Sequence, residues 1–127
     1  MSLGLITNPL GRGSSGSSSS ASTTVETLTA SANTITPNSS NGGGILTSVA
    51  AALTIANPTG SPTDMQRYIL RIKSASNYAL TFGNQYRFSS DLAQPATLTG
   101  SSLTDYFVFT RNAADSKWDF TGRVFGF

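Results

Sequence analysis

The sequence predicts an all-β fold, namely a single antiparallel β-sandwich or jelly-roll-like domain with an extended N-terminal arm. Three observations predict this class. Apolar and polar residues alternate with a period of two in the strongest segments. Turn-forming residues recur at roughly the 8–12-residue spacing of sandwiches and barrels. No segment carries the i, i+3, i+4, i+7 apolar spacing of an amphipathic helix.

The first 24 residues are predicted to form the arm. A short apolar peptide is followed, from residue 11, by a Gly/Ser tract with the composition of a linker. A flexible linker of this length spans roughly 20 Å. We hypothesise that the peptide anchors the protein to a larger partner; the alternatives are a tail without a partner and a remnant of an expression vector. The candidate anchoring residues are Leu3, Leu5, Ile6, Pro9, Leu10 and Arg12.

Residues 25–127 are predicted to form the sandwich domain. Strand-forming residues fill 25–30 and 33–37, and the second of these segments stops at a proline. The stretch 38–44 is predicted to be a loop, because it contains three consecutive glycines. Residues 45–56 are predicted to form two short strands with a kink between them.

Residues 66–74 give the clearest strand signal, because their side chains alternate between two chemically different faces. The inward face is predicted to carry Tyr68, Leu70 and Ile72. The outward face is basic, with Arg67, Arg71 and Lys73, and Ile69 joins it. This row is interpreted either as a solvated strand face or as a patch for an acidic partner.

The C-terminal third continues the strand pattern. Further strands are predicted at 78–83, 84–88, 105–110 and 117–125, with an edge strand at 96–98. In the last of them the predicted inward residues are Trp118, Phe120 and Val124. Phe125 and Phe127 fall off the main period, and they are hypothesised to form a subunit contact.

The composition excludes several kinds of chemistry. The chain has no Cys and no His, so it lacks thiol nucleophiles, thiolate metal sites and imidazole acid–base groups. Asp115 and Asp119 are close in sequence, but they are placed on a hairpin tip and its outer face rather than across a cleft. The net charge of +2 is too weak for a nucleic-acid footprint, and no apolar run is long enough to span a bilayer. The sequence therefore predicts no catalytic residue, no cofactor, no metal, no nucleic acid and no membrane partner.

Three segments together resemble a small β-module of tailed-bacteriophage virion proteins. They read DMQRYILRIK, LTFGNQYRFSSDL and LTDYFVFTRNAADSKWDF, and the resemblance covers roughly residues 54–127. Modules of this kind occur in capsid decoration proteins, head fibres and tail fibres, and they are commonly homotrimeric. The resemblance implies a homotrimer located in the virion, made in the host cytoplasm, with the major capsid protein or another virion protein as its partner.

The resemblance leads to one main functional hypothesis and two alternatives. The main hypothesis is a non-enzymatic capsid decoration (cement) or head-fibre subunit that attaches through its N-terminal arm. The first alternative is a tail-fibre or receptor-binding module that recognises a host surface glycan through the loops at 57–64, 89–104 and 111–117. The second alternative is a polysaccharide-degrading enzyme.

Overall fold

A computed structural model describes residues 24–127, which contain nine strands and no helix. The chain in this range is therefore all-β. The strands are β1 (Val25–Thr27), β2 (Thr34–Ile35), β3 (Gly43–Leu46), β4 (Leu53–Ile55), β5 (Arg67–Ser74), β6 (Leu80–Phe82), β7 (Tyr86–Arg87), β8 (Leu103–Asn112) and β9 (Lys117–Val124).

The strands form two sheets whose pairing is mostly parallel. The larger sheet has the order β1-β3-β5-β8-β9-β7, and the smaller one has the order β2-β4-β6. Five pairs are parallel, and only β5 with β8 and β8 with β9 are antiparallel. The prediction of an antiparallel domain is therefore wrong. Period-two alternation is common to both kinds of sheet, so it does not reveal the direction of the neighbouring strand.

Parallel pairing follows from the path of the chain. The first six strands alternate between the two sheets, so each return to a sheet enters it in the same direction. The winding resembles that of a β-solenoid, in which successive turns place residues of the same type above one another. In the smaller sheet, Thr34 pairs with Thr54 and Thr54 with Thr81. The hydroxyls of the last two lie 3.1 Å apart, within hydrogen-bonding distance.

Both sheets contribute to one hydrophobic core. The smaller sheet supplies aliphatic side chains, and the larger sheet supplies most of the aromatic ones. The predicted inward residues of β5 are all buried, as are Trp118 and Phe120 of β9. Rings meet at tilted or edge-to-face angles, with centroids 5.0 Å apart for Phe82 and Phe88 and 5.2 Å for Phe109 and Phe120. The alternation along these strands thus correctly predicts their buried faces.

The predicted loop at 38–44 is partly wrong, because its last two residues begin β3. Gly44 lies beneath the hydroxyl of Tyr68, and a β-carbon on Gly44 would overlap that oxygen. A β-carbon on Gly43 would lie 2.6 Å from the carbonyl oxygen of Ile69. These glycines therefore allow the close approach of neighbouring strands, a role that glycine composition alone does not distinguish from a flexible turn.

A β-bulge reverses the inward and outward alternation near the end of β9. Phe120 pairs with Phe109, but Gly122 pairs with Val108, so Thr121 is an extra residue without a partner opposite it. The prediction that Val124 points inward is therefore wrong, and its side chain is 56% exposed.

The segment between β7 and β8 touches the edge of the smaller sheet, but the edge strand predicted at 96–98 is only an isolated bridge. Thr97 forms an isolated antiparallel bridge with Ala79, and the Leu98 N–H donates to the Tyr78 carbonyl. The Leu98 side chain is buried in the core. This short pairing covers the β6 edge of the smaller sheet.

Candidate functional site

A broad groove crosses the outer face of the larger sheet, opposite the core. It measures about 680 Å³ and is lined by residues of β3, β5, β8 and β9 together with the C-terminal residue. Four adjacent strands extend over about 14 Å at the usual spacing of sheets. The groove is therefore formed by side chains of four neighbouring strands.

Ile69 and Val108, at the centre of one row of paired residues, form the floor of the groove. Gly43, Ile69, Val108 and Gly122 are consecutive partners across β3, β5, β8 and β9. The glycines at both ends of this row have no side chain, so only Ile69 and Val108 project from it. Ile69 is 43% exposed although it lies in the middle strand of a sheet.

The next row contains apolar, aromatic and cationic side chains. Ile45 pairs with Arg71, Arg71 with Tyr106, and Tyr106 with Val124. The bulge at Thr121 is what turns Val124 toward this face. The two rows together place contiguous apolar side chains beside cationic ones on the outer face of the sheet.

The C-terminus closes one end of the groove. The Phe127 N–H donates to the Thr104 carbonyl at 3.0 Å, and the Thr104 N–H donates to the Phe127 carbonyl at 2.9 Å. The Phe127 ring lies edge-to-face against Tyr106, with centroids 5.6 Å apart. A buried carboxylate, Asp105, accepts a hydrogen bond from the Gly126 N–H at 3.0 Å. The tail is thus held by backbone and side-chain bonds while the Phe127 ring remains 66% exposed.

Cations border the apolar floor. Arg71 and Lys73 line the groove, and Arg67 lies on the same outer face of β5 beyond it. Within residues 24–127 none of these three side chains forms an ion pair. The groove is therefore both apolar and positively charged.

Most carboxylates of the described chain are already engaged away from the groove. Glu26 accepts hydrogen bonds from the Tyr68 hydroxyl and from a backbone N–H at 2.7 Å each. Asp64 accepts from the Ala113 N–H, and Asp105 is buried. In the part of the chain that the structure describes, Asp91 alone has neither an ion pair nor a side-chain hydrogen bond.

Arg87 binds the two carboxylates that are closest in sequence. Its guanidinium lies 2.9 Å from Asp115 and 2.7 Å from Asp119. The hydrogen bond from Arg87 lowers the pKa of Asp119 below its usual range. A general acid working near neutral pH needs the opposite shift. The pair is arranged as an ion-pair cluster at the sheet edge.

Two tyrosine hydroxyls are held in the interior. Burial raises the pKa of Tyr68, and its hydrogen bond to Glu26 raises it further. Burial likewise raises the pKa of Tyr86, whose hydroxyl donates to the Ala56 carbonyl at 2.8 Å. Both side chains therefore act as protonated donors.

The structure separates the two predicted subunit-contact residues. Phe125 packs against the core, with its ring centroid 4.9 Å from that of Phe107, whereas Phe127 lies in the groove. All six candidate anchoring residues lie outside the described range. The sequence pattern does not identify Val108, Tyr106 and Val124 as groove residues; the only signal for the first two is that the predicted strand 105–110 has apolar residues on both faces.

The three loops considered for glycan recognition do not converge on one site. Loops 57–64 and 111–117 meet at one end of the β5–β8 pair, where Asp64 contacts Ala113. The loop that ends at residue 102 lies at the opposite end, where the Ser102 N–H donates to the Ser74 carbonyl.

Residues 24–127 contain no group of three or more acidic, His or Cys side chains that could hold a metal ion. The same range has no helix with the length and apolar character required to cross a membrane. Comparison of the chain with known protein families, curated proteins and solved structures finds no match.

Proposed function

We propose that this protein is a non-enzymatic structural protein of a tailed-bacteriophage virion, namely a capsid decoration or head-fibre subunit attached through residues 1–12. Its partner is the major capsid protein or another virion protein, and it acts as a homotrimer. The two sheets around one core correspond, in this proposal, to the layers of a β-sandwich. Its mechanism is the burial of interface area, which stabilises the shell by linking neighbouring subunits.

The observation that carries the proposal is the location of the three segments that resemble virion modules. They contain nearly all of β5, all of β6, β7 and β8, and the first half of β9, and thus supply the central pairs of the larger sheet. The remaining short strands form the opposite edges, with β1 and β3 in the larger sheet and β2 and β4 in the smaller one. The resemblance therefore covers one contiguous part of the fold, as expected if it reflects a shared module.

The exposed face of that same part supports a role in assembly. Low charge, 11% of residues, gives little electrostatic protection against association, and the outer groove adds apolar surface. A protein with this surface gains stability by burying it against a neighbour.

The experiment is a binding assay on undecorated particles. The full chain is compared with a variant lacking residues 1–12 and with a control variant lacking residues 13–20, which shortens the linker and keeps the apolar peptide. We expect occupancy on the particle to fall for the first variant and to persist for the second. Unchanged occupancy without residues 1–12 would refute the anchor.

Imaging of labelled particles separates the main proposal from its alternative. Label distributed over the head agrees with a decoration or head-fibre role. Label confined to the tail tip, together with glycan-array binding that loop substitutions abolish, would replace the proposal with receptor recognition. Turnover of a host polysaccharide would replace it with an enzymatic role.

A further inference from the structure

We infer that the outer groove binds an acidic partner, namely an extended segment of another protein in which apolar residues alternate with carboxylates. This inference goes beyond the N-terminal anchor and does not depend on residues 1–12. It stands on the charge of the groove, on where the carboxylates of this chain lie, and on the dimensions of the surface.

The charge of the groove favours a partner that carries carboxylates. Arg71 and Lys73 border an apolar floor and have no ion-pair partner within residues 24–127. The first 23 residues contain no Asp or Glu, so their side chains have no carboxylate to offer. That segment instead carries Arg12, which would be repelled by the groove.

A second copy of the chain is also a poor match. Its own groove has the same cations, so face-to-face contact would bring like charges together. Its carboxylates are bonded to Tyr68, Arg87 or backbone groups, or are buried, apart from the exposed Asp91. Electrostatic complementarity therefore favours a different, acidic molecule.

The shape of the groove favours an extended peptide segment. The surface is open, with Ile69 and Val124 about half exposed, and does not form the enclosed cavity that a small ligand usually occupies. Its width of about 14 Å equals the length of roughly four extended residues. Successive side chains of an extended peptide point to opposite sides. If the peptide lies between the two rows, its apolar side chains contact Ile69 and Val108, and its carboxylates on the other side contact Arg71.

The test uses a fluorescein-labelled peptide of four Leu-Glu repeats and measures fluorescence anisotropy with the full chain. A Leu-Lys peptide reverses the charge, and a Ser-Glu peptide removes the apolar contacts. We expect only the Leu-Glu peptide to bind, and we expect its affinity to fall as salt rises. Absence of binding at about 1 mM protein, the range of the weakest transient interfaces, overturns the inference.

Charge-reversal variants locate the site. R71E is expected to weaken binding by about tenfold or more, because attraction becomes repulsion at the groove itself. The matched control is R67E, which makes the same kind of change on the same face of β5 outside the groove; we expect less than about a twofold effect, since solvent and salt screen the longer distance. Equal losses from both changes would show diffuse attraction and overturn the inference.

Sedimentation tests whether a second copy of the chain occupies the groove. If the full chain self-associates and V124D makes it monomeric, the groove belongs to a second copy and the inference is overturned. Far-ultraviolet circular dichroism identical to that of the full chain confirms that each variant is folded. The variant lacking residues 1–12 distinguishes the two proposals. If it no longer binds particles but still binds the Leu-Glu peptide, the anchor and the groove are independent sites and this inference stands.

Discussion

Replacement of Asp105 with asparagine is expected to destabilise the fold by about 2 kcal/mol. Asp105 is 1% exposed and lies at the start of β8. Its carboxylate accepts three hydrogen bonds, from the Thr99 N–H at 2.8 Å, the Thr99 hydroxyl at 2.6 Å and the Gly126 N–H at 3.0 Å. It thereby ties the preceding loop and the C-terminal tail to the central sheet.

The magnitude follows from the geometry of an amide in the same place. The Thr99 N–H donates to one carboxylate oxygen, and the Gly126 N–H donates to the other. An asparagine has only one oxygen, so its NH2 group must face one of these two backbone donors in either orientation. A buried donor left without an acceptor costs about 1–3 kcal/mol. For a domain of about 100 residues, 2 kcal/mol corresponds to a decrease in Tm of roughly 8–16 °C.

The assay is thermal and urea unfolding followed by the fluorescence of Trp118, the only tryptophan, which is 2% exposed in the core. The control is D91N, the same chemical change at an exposed aspartate without an ion pair. We expect D91N to unfold within about 0.5 kcal/mol of the unmodified chain. If D105N also remains within that range, the buried carboxylate does not hold the tail, and the location of Phe127 needs another explanation.

Three further predictions concern charge, buried hydroxyls and the bulge. Because Arg87 lowers the folded-state pKa of Asp119, the pair stabilises the fold above the usual carboxyl pKa of about 4, and this contribution is lost as pH falls through the lower folded-state value. R87Q should raise the Asp119 pKa in a carboxyl NMR titration; an unchanged titration contradicts the ion pair. Since burial raises the pKa of Tyr68 and Tyr86, both should stay protonated above pH 10 and the fold should lose stability there. Absorbance near 295 nm, which reports tyrosinate, should show that these two tyrosines ionise only when the protein unfolds. Reversible ionisation of either tyrosine in the folded protein would refute this prediction. Deletion of Thr121 should join Phe120 to Gly122 and leave the later residues with their present partners and faces, so urea unfolding should change by less than about 1.5 kcal/mol relative to a Thr121→Ser control. A loss of about 1.5–3 kcal/mol for each large apolar side chain moved out of the core would exclude the bulge.

Much of the buried surface could be predicted because it depends on local pattern. In β5 the inward side chains of Tyr68, Leu70 and Ile72 were identified by alternation alone, and the basic outward row was identified with them. The groove as a whole could not be predicted. Its lining combines residues from four strands whose order and register are set by long-range pairing.

The alternation of apolar and polar residues determined that residues 24–127 form strands and which side chains of β5 face the core, and the composition determined that His and Cys chemistry is absent. Only the tertiary structure decided the parallel direction of the pairs, the strand role of Gly43 and Gly44, and the opposite positions of Phe125 and Phe127. The physical reason is that side-chain alternation is a property of each strand by itself. Direction, close approach and the effect of an extra residue at Thr121 depend on which strand lies beside it.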